Sequence, residues 1–427
     1  MANNLTDAKQ ELCDRLAAKI ILGIPFIKRS TSIGRDQLTK TARTQGKIKL
    51  YVNAGGGAQV KKFDGNGALD LTGRSTDSSF YEKEFTANVA SDILGYNAFE
   101  ELFQLGEGGV DKEFVEPRGE FMSNIIEKDL VERNWFKAGG AVIENGGVNM
   151  QPLFKAQSIL QTIKAGGTFS GFLSPMLQGE LAYNALGKQN GFDAPTETQR
   201  DMYGNAAIGS AAGFEYINEP FMPVFTMGDA LGSAKVAKAV NSGDGEIQLK
   251  GVTASAKIYK GTPLKIEGVY DVTMAGAPVV YKKTFIVQED ATVSGSGTVT
   301  VKIIPVYLNG DDHYKPTAYS TSTVARGGTL VGNKGVIPVD AGVTCELTAE
   351  TEYHIGLIRE ASAFNWLPFE LTKLSGVENR TTSVDELTLH ICTGGELKTY
   401  ENVTRIDSPY FGDIVDERAC RTIYVKK

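Results

Sequence analysis

From Glu246 to Val306 the chain is strand-forming almost without pause, and this run lies inside a longer sequence whose own mixed pattern resumes after Ala349. Three phrases carry it: Gly261-Thr262-Pro263-Leu264-Lys265-Ile266-Glu267-Gly268-Val269, Lys283-Thr284-Phe285-Ile286-Val287 and Thr298-Val299-Thr300-Val301-Lys302-Ile303. In the last, Val299, Val301 and Ile303 alternate with Thr298, Thr300 and Lys302, the period-two pattern of a strand with one buried face. Ser294-Gly295-Ser296-Gly297 supplies a turn between two such strands. A block of strands with its own turns, bracketed by a different pattern on both sides, reads as a small barrel grafted into a host fold.

The host is legible in pieces. Residues 5–22 show helical spacing, with Thr6 and Asp7 as caps and Leu12, Leu16 and Ile20 on one stripe. Lys47 to Val52 alternates as a strand, and strand character returns at Ser79 to Val89 after a glycine-loaded excursion through Gly55-Gly56-Gly57 and Gly65-Asn66-Gly67. Two strands joined this way make a long hairpin, which cannot bury both of its faces alone. A short helix is expected at Asn97 to Leu105. The strongest helical pattern spans Pro117 to Ala138, with Phe121, Met122, Ile125, Ile126, Leu130 and Trp135 in i, i+3, i+4 relation and Gly139-Gly140 closing it. A further helix is expected at Gln151 to Lys164, a mixed helical stretch from Phe172 to about Gly213, and extended chain from Phe214. Beyond the insert, Glu352 to Ala363 mixes helix and strand signals, Leu387, Leu389 and Ile391 mark a strand, and Arg421 to Val425 another.

A length of 427 residues allows two or three domains, and 41% hydrophobic with 22% charged residues is an ordinary globular composition. The formal charge of −7 argues against coating nucleic acid by bulk electrostatics, which needs an excess of Lys and Arg. The charge is uneven: residues 1–50 hold ten Lys or Arg against four Asp or Glu, a local +6 that leaves −13 for the rest. This basic opening suits an acidic partner, a polynucleotide or plain solvation. Neither a signal peptide nor a membrane span is expected, and Cys13, Cys345, Cys392 and Cys420 lack paired spacing, which reads as reduced thiols.

Catalytic equipment is missing from the pattern. His313, His354 and His390 show no metal-ligand spacing, there is no Cys-x-x-Cys, and neither phosphate-binding glycine motif occurs. Gly167-Thr168-Phe169-Ser170-Gly171 has the wrong offset for a nucleophile elbow and reads as a loop. Asp311-Asp312-His313 offers too few arranged ligands for a cation, and Glu100-Glu101 is an adjacent surface pair. No catalytic, cofactor-binding or metal-binding residue is therefore assigned.

Taken in order, four stretches resemble the major capsid (coat) proteins of tailed phages, in the short-tailed branch whose subunit carries an inserted β-barrel. They are Lys257 to Val306, Ala212-Gly213-Phe214-Glu215-Tyr216 through Pro220 and Pro223-Val224, His354-Ile355-Gly356-Leu357-Ile358-Arg359-Glu360-Ala361-Ser362-Ala363-Phe364, and Arg405-Ile406-Asp407 with Tyr410-Phe411-Gly412. The resemblance implies an α+β chain with the capsid fold shared by tailed phages, herpesviruses and encapsulin shells. Its parts would be an N-terminal arm (1–46), an extended-loop hairpin (47–90), a spine helix with the peripheral domain (91–149), the first part of an axial domain (150–228), an inserted antiparallel β-barrel (229–347), and the axial and peripheral completion (348–427). The sequence departs from that family at Asn241 to Glu246, where a long charged loop is cut short, and at Asp416-Glu417-Arg418, where the family has Arg-Pro-Glu. Some relatives crosslink a hairpin Lys to an Asn; Lys61 and Lys62 lie in that hairpin, although relatives with the barrel usually do without the bond.

The function implied is a non-enzymatic subunit that assembles into pentamers and hexamers of an icosahedral virion shell around double-stranded DNA. Scaffolding protein and portal would be its assembly partners in the host cytoplasm, with no cofactor and no membrane. Arm and hairpin are expected to expose strand edges and apolar side chains that neighbouring copies cover. The alternatives are an encapsulin-like compartment protein and a tail or surface protein with an Ig-like module.

Overall fold

The protein is described by a computed structural model covering residues 2–28, 31–32, 47–53, 80–86, 88–95, 115–163, 167–187, 210–273, 278–307, 318–320, 323–324, 330–331, 336–368, 371, 378–384, 387–396 and 401–427. The chain divides into two compact units, one of residues 1–50, 84–134 and 361–415, the other of residues 51–83, 135–360 and 416–427.

The first unit is built on the 14-residue strand Glu401–Ile414. It pairs antiparallel with Leu387–Glu396, with Asn88–Gly95 and, through its last residues, with Phe364–Pro368. Glu378–Val384 adds to the Leu387–Glu396 edge, and Thr31–Ser32 runs parallel to Phe364–Pro368. The helix Glu116–Asn134 packs on this sheet with Met122, Ile126, Leu130 and Val131 fully buried. At 19 residues it is roughly 30 Å long. It ends sooner than the sequence pattern suggests, and its stripe is narrower: Phe121 and Ile125, expected inside, are 49% and 38% exposed. At its C-terminus the buried Asn134 accepts from the Ile414 amide (3.0 Å) while donating to the Leu130 carbonyl (2.8 Å), tying the helix end to the strand. Asp129 gathers Tyr410 Oη (2.6 Å), Arg133 Nη2 (2.6 Å) and Asn88 Nδ2 (2.9 Å), and the Tyr410 ring stacks on the fully buried Trp366 at 5.3 Å. Burial, with the Asp129 charge adding to it, raises the Tyr410 phenol well above its ordinary pKa.

The opening helix spans Ala2–Leu22, longer than expected, and it corrects the picture of a free arm. Cys13, Leu16, Ala17 and Ile20, then Ile24, Phe26 and Ile27, are buried in this same unit against the Glu116–Asn134 helix and the Glu378–Val384 edge. The Phe26 amide donates to Glu127, and its ring meets Phe364 edge-on at 5.0 Å. Most apolar side chains of residues 13–27 therefore find their cover on their own chain, while Leu22 stays exposed. The Leu12 side chain lies outside the described residues, as does the helix expected at Asn97 to Leu105.

The expected hairpin strands form at Lys47–Asn53 and Phe80–Thr86. They pair with each other in a two-stranded sheet and, among the described residues, with nothing else. The glycine-rich excursion between them lies outside the described residues.

In the second unit, Glu352–Glu360 is central to a seven-stranded mixed sheet. Cys420–Lys426 and Phe169–Leu173 flank it antiparallel; Ala141–Glu144 and Phe214–Asn218 lie parallel outside them, and Val224–Thr226 extends the ladder beside Glu352. The central strand is buried on both faces from Tyr353 to Arg359, which is why its residues read as an unbroken, ambiguous run in sequence. Helices Gln151–Thr162 and Pro175–Gly187 cover one face, burying Leu153, Leu160, Leu177 and Leu181 against Ile358, Ile423 and Val425. Gly171, expected in a loop, is inside the Phe169–Leu173 strand.

The barrel forms where the β-run predicts. Its strands follow the order Lys235–Val236, Glu246–Lys250, Val299–Ile304, Pro278–Val287, Pro263–Val272, with Val343–Thr344 on the far edge of the last. The Lys235↔Gly342 bridge and the Val236 amide to Ala341 carbonyl bond (3.0 Å) bring that edge back to the first strand. Closure leaves no long open edge for foreign strands. Val299, Val301 and Ile303 point inward with Ile247, Leu249, Leu264 and Phe285, in a core drawn from residues 231–345 alone. Ser294 to Thr298 makes the expected turn.

Candidate functional site

Among the described residues no group of His, Cys, Asp and Glu is placed to hold a metal ion, and no helix is long and apolar enough to cross a membrane. Asp311, Asp312, His313, Glu100, Glu101, Lys61 and Lys62 lie outside the described residues. His390 is buried beside Cys392 (Sγ to Nδ1 3.5 Å), whose thiol also meets Asn379 (3.2 Å); burial first, and then the Asp407 charge, raises that thiol's pKa and leaves it protonated and inert. His354 is buried 3.7 Å from Glu180, and burial lowers its pKa against the pull of that carboxylate.

A buried polar seat lies in the second unit, where the barrel meets the host sheet. Just past the Glu116–Asn134 helix, Trp135 and Phe136 are buried, and the Trp135 ring lies flush on Gly261 at the start of the barrel's long hairpin. Gly261 has φ +94°, and a Cβ there would fall 2.1 Å from the Trp135 ring, so both backbone and space demand glycine. Tyr424 of the strand Cys420–Lys426 donates its hydroxyl to the Gly261 carbonyl, and Phe225 packs edge-on to the Tyr424 ring at 5.8 Å. Lys260 Nζ lies 4.6 Å from the centroid of Phe136. Gly261→Ala is expected to cost ~1–3 kcal/mol through the strained backbone alone, measured as a lowered urea midpoint with a red-shifted Trp135 emission.

Beside this apolar contact sits a buried charge cluster. Lys283 Nζ donates to the Gly139 carbonyl (2.5 Å) and to Asp271 Oδ1 (3.2 Å), while Arg421 Nη2 donates to Asp271 Oδ2 (2.8 Å). The three side chains are 1%, 8% and 2% exposed. Arg421 Nη1 is held by the carbonyls of Arg418 and Cys420, and Arg418 forks onto Asp416 through Nε (2.9 Å) and Nη2 (2.8 Å). The Gly139 amide completes the seat by donating to the Glu417 carbonyl at 2.6 Å. Burial pushes the Lys283 amine down to about 8 against the pull of Asp271, and the Arg421 and Arg418 charges push the same way as burial. Val279, on the same hairpin strand as Lys283, enters the host core beside Val142 and Ile423.

Chemically the seat is a fastening: a carboxylate with two cations, a carbonyl and an aromatic wedge. No residue of it was assigned from the sequence. The available signal was a Lys at 283 opening the buried run Thr284-Phe285-Ile286-Val287.

No family model matches the sequence, and no curated protein matches it. Among solved structures, 81 chains align with it. The "Capsid of Ralstonia phage GP4" aligns at 6% identity over 93% of this chain and 88% of that one, with a TM-score of 0.39. "Mycobacterium phage Che8" aligns at 7% identity over 92% and 91%, with a TM-score of 0.38, and "Satellite phage P4 procapsid including size determination (Sid) protein" at 6% over 98% and 90%, with a TM-score of 0.37. Each of these is a resemblance at TM-scores below 0.5, which is not by itself a shared fold.

Proposed function

We propose that this chain is a shell-building subunit, the major capsid protein of a tailed phage, whose copies close pentamers and hexamers around packaged double-stranded DNA. The observation that carries the reading is the ribbon of Lys47–Asn53 and Phe80–Thr86, which among the described residues pairs only with itself. A two-stranded ribbon is marginal in water and presents two open edges, so it calls for a surface beyond its own sheet. The barrel, by contrast, closes on itself and has no long edge to offer. The outward Phe121 and Ile125, one helical turn apart on Glu116–Asn134, add apolar surface for a neighbour to cover.

On this reading residues 47–90 are an extended loop, 116–134 the spine helix and 229–347 an inserted domain. Scaffolding protein and portal are the assembly partners, and the subunit passes from host cytoplasm to virion. An acidic remainder of the chain is compatible with a DNA-filled shell when a motor, not charge attraction, loads the genome. The test is negative-stain microscopy of the chain expressed with and without its neighbouring genes. Closed shells of uniform diameter are the expected result, and solitary particles at every concentration would overturn the reading.

A further inference from the structure

The charge cluster under the barrel is unbalanced in a way that makes it responsive. Among the described residues Asp271 is the one carboxylate that bonds both Lys283 and Arg421, and all three side chains are shut away from water. The charged groups facing Lys283 are Asp271 from its own hairpin, Arg421 from the strand Cys420–Lys426, and Arg418 from the turn before that strand. Arg418 is already answered by Asp416, and the turn after Trp135 sets the Gly139 carbonyl against the Lys283 amine. With Lys283 protonated, two buried cations therefore share a single anion; with Lys283 neutral, Asp271 and Arg421 balance. Surplus charge in a low-dielectric site is unfavourable unless fully paired.

We propose that Lys283, Asp271 and Arg421 form a protonation-controlled latch for the barrel: with Lys283 neutral the hairpin is locked onto the host sheet, and with Lys283 charged the seat loosens. The geometry makes this local. Lys283 and Asp271 sit on the two strands of one barrel hairpin, whereas Arg421 and Gly139 belong to the host, so the surplus charge arises at the contact between barrel and host.

The amine's fall to about 8 sets the window. Between about pH 8 and the ordinary lysine value of 10.5, the unseated state binds more protons than the seated one, so seating strengthens as pH rises through that range and gains nothing further above it. The experiment is acrylamide quenching of Trp135, which covers Gly261, in full-length Trp366→Phe protein from pH 7 to 10.5. Quenching should fall with rising pH, the unseating equilibrium dropping by up to about tenfold per pH unit. Lys283→Met should be weakly quenched throughout, with Lys283→Gln serving the same comparison if the Met variant fails to fold. A neutral variant that keeps the wild-type pH slope, or a wild-type protein without one, would overturn the latch.

Discussion

Replacing residues 51–82 with an Asn-Gly turn is expected to abolish closed particles while leaving a folded, soluble subunit. The two ribbon strands contribute no ladder to the other sheets among the described residues, so trimming them breaks no strand pairing of either larger sheet there. The stubs 47–50 and 83–86 retain part of each strand, and Asn-Gly supplies a two-residue hairpin turn. Light scattering and microscopy should show the loss of shells, while the far-ultraviolet spectrum and the urea midpoint of the remaining chain stay near the parent's. Shells that still close with the ribbon cut back would show that the contact between copies lies elsewhere.

Asp271→Asn is expected to cost ~3–5 kcal/mol, the range for removing one partner of a buried ion pair. It strips the anion from Arg421 and Lys283 together, and neither side chain has water to turn to. Adding Lys283→Met to Asp271→Asn should return part of the loss, because one of the two stranded cations then disappears. Urea unfolding followed by Trp135 emission in a Trp366→Phe background measures both. Full additivity of the two changes would show that Asp271 and Lys283 do not act as a pair.

Elements with a single clear period were readable before the structure. The Val299, Val301, Ile303 alternation placed a strand with its inward face correct, and the 3.6-residue spacing of Met122, Ile126 and Leu130 placed the long helix. What failed did so for physical reasons. Phe121 and Ile125 fit the apolar stripe by type, but the sheet beneath the helix covers less of its circumference than an apolar stripe can span. Glu352–Glu360 sent mixed signals because a strand covered on both faces loses its period-two pattern. Leu387–Glu396 alternated clearly, yet Thr388, His390 and Cys392 are as buried as Leu387 and Leu389, so polarity there does not mark the wet face. The seat of the barrel was the least legible of all. Arg421 stands far along the chain from Asp271 and Lys283, and Lys283 follows an exposed lysine, so only the fold brings the three together.

The strand Cys420–Lys426 lies between Ala141–Glu144 and Glu352–Glu360, and it also supplies Arg421 and Tyr424 to the barrel. A ribosome makes it after everything it touches. During translation the barrel core, drawn from a contiguous stretch, is complete long before its platform is, and the nascent polypeptide carries a finished module with no berth. Docking therefore waits on the strand Cys420–Lys426, so the barrel folds first and is berthed later.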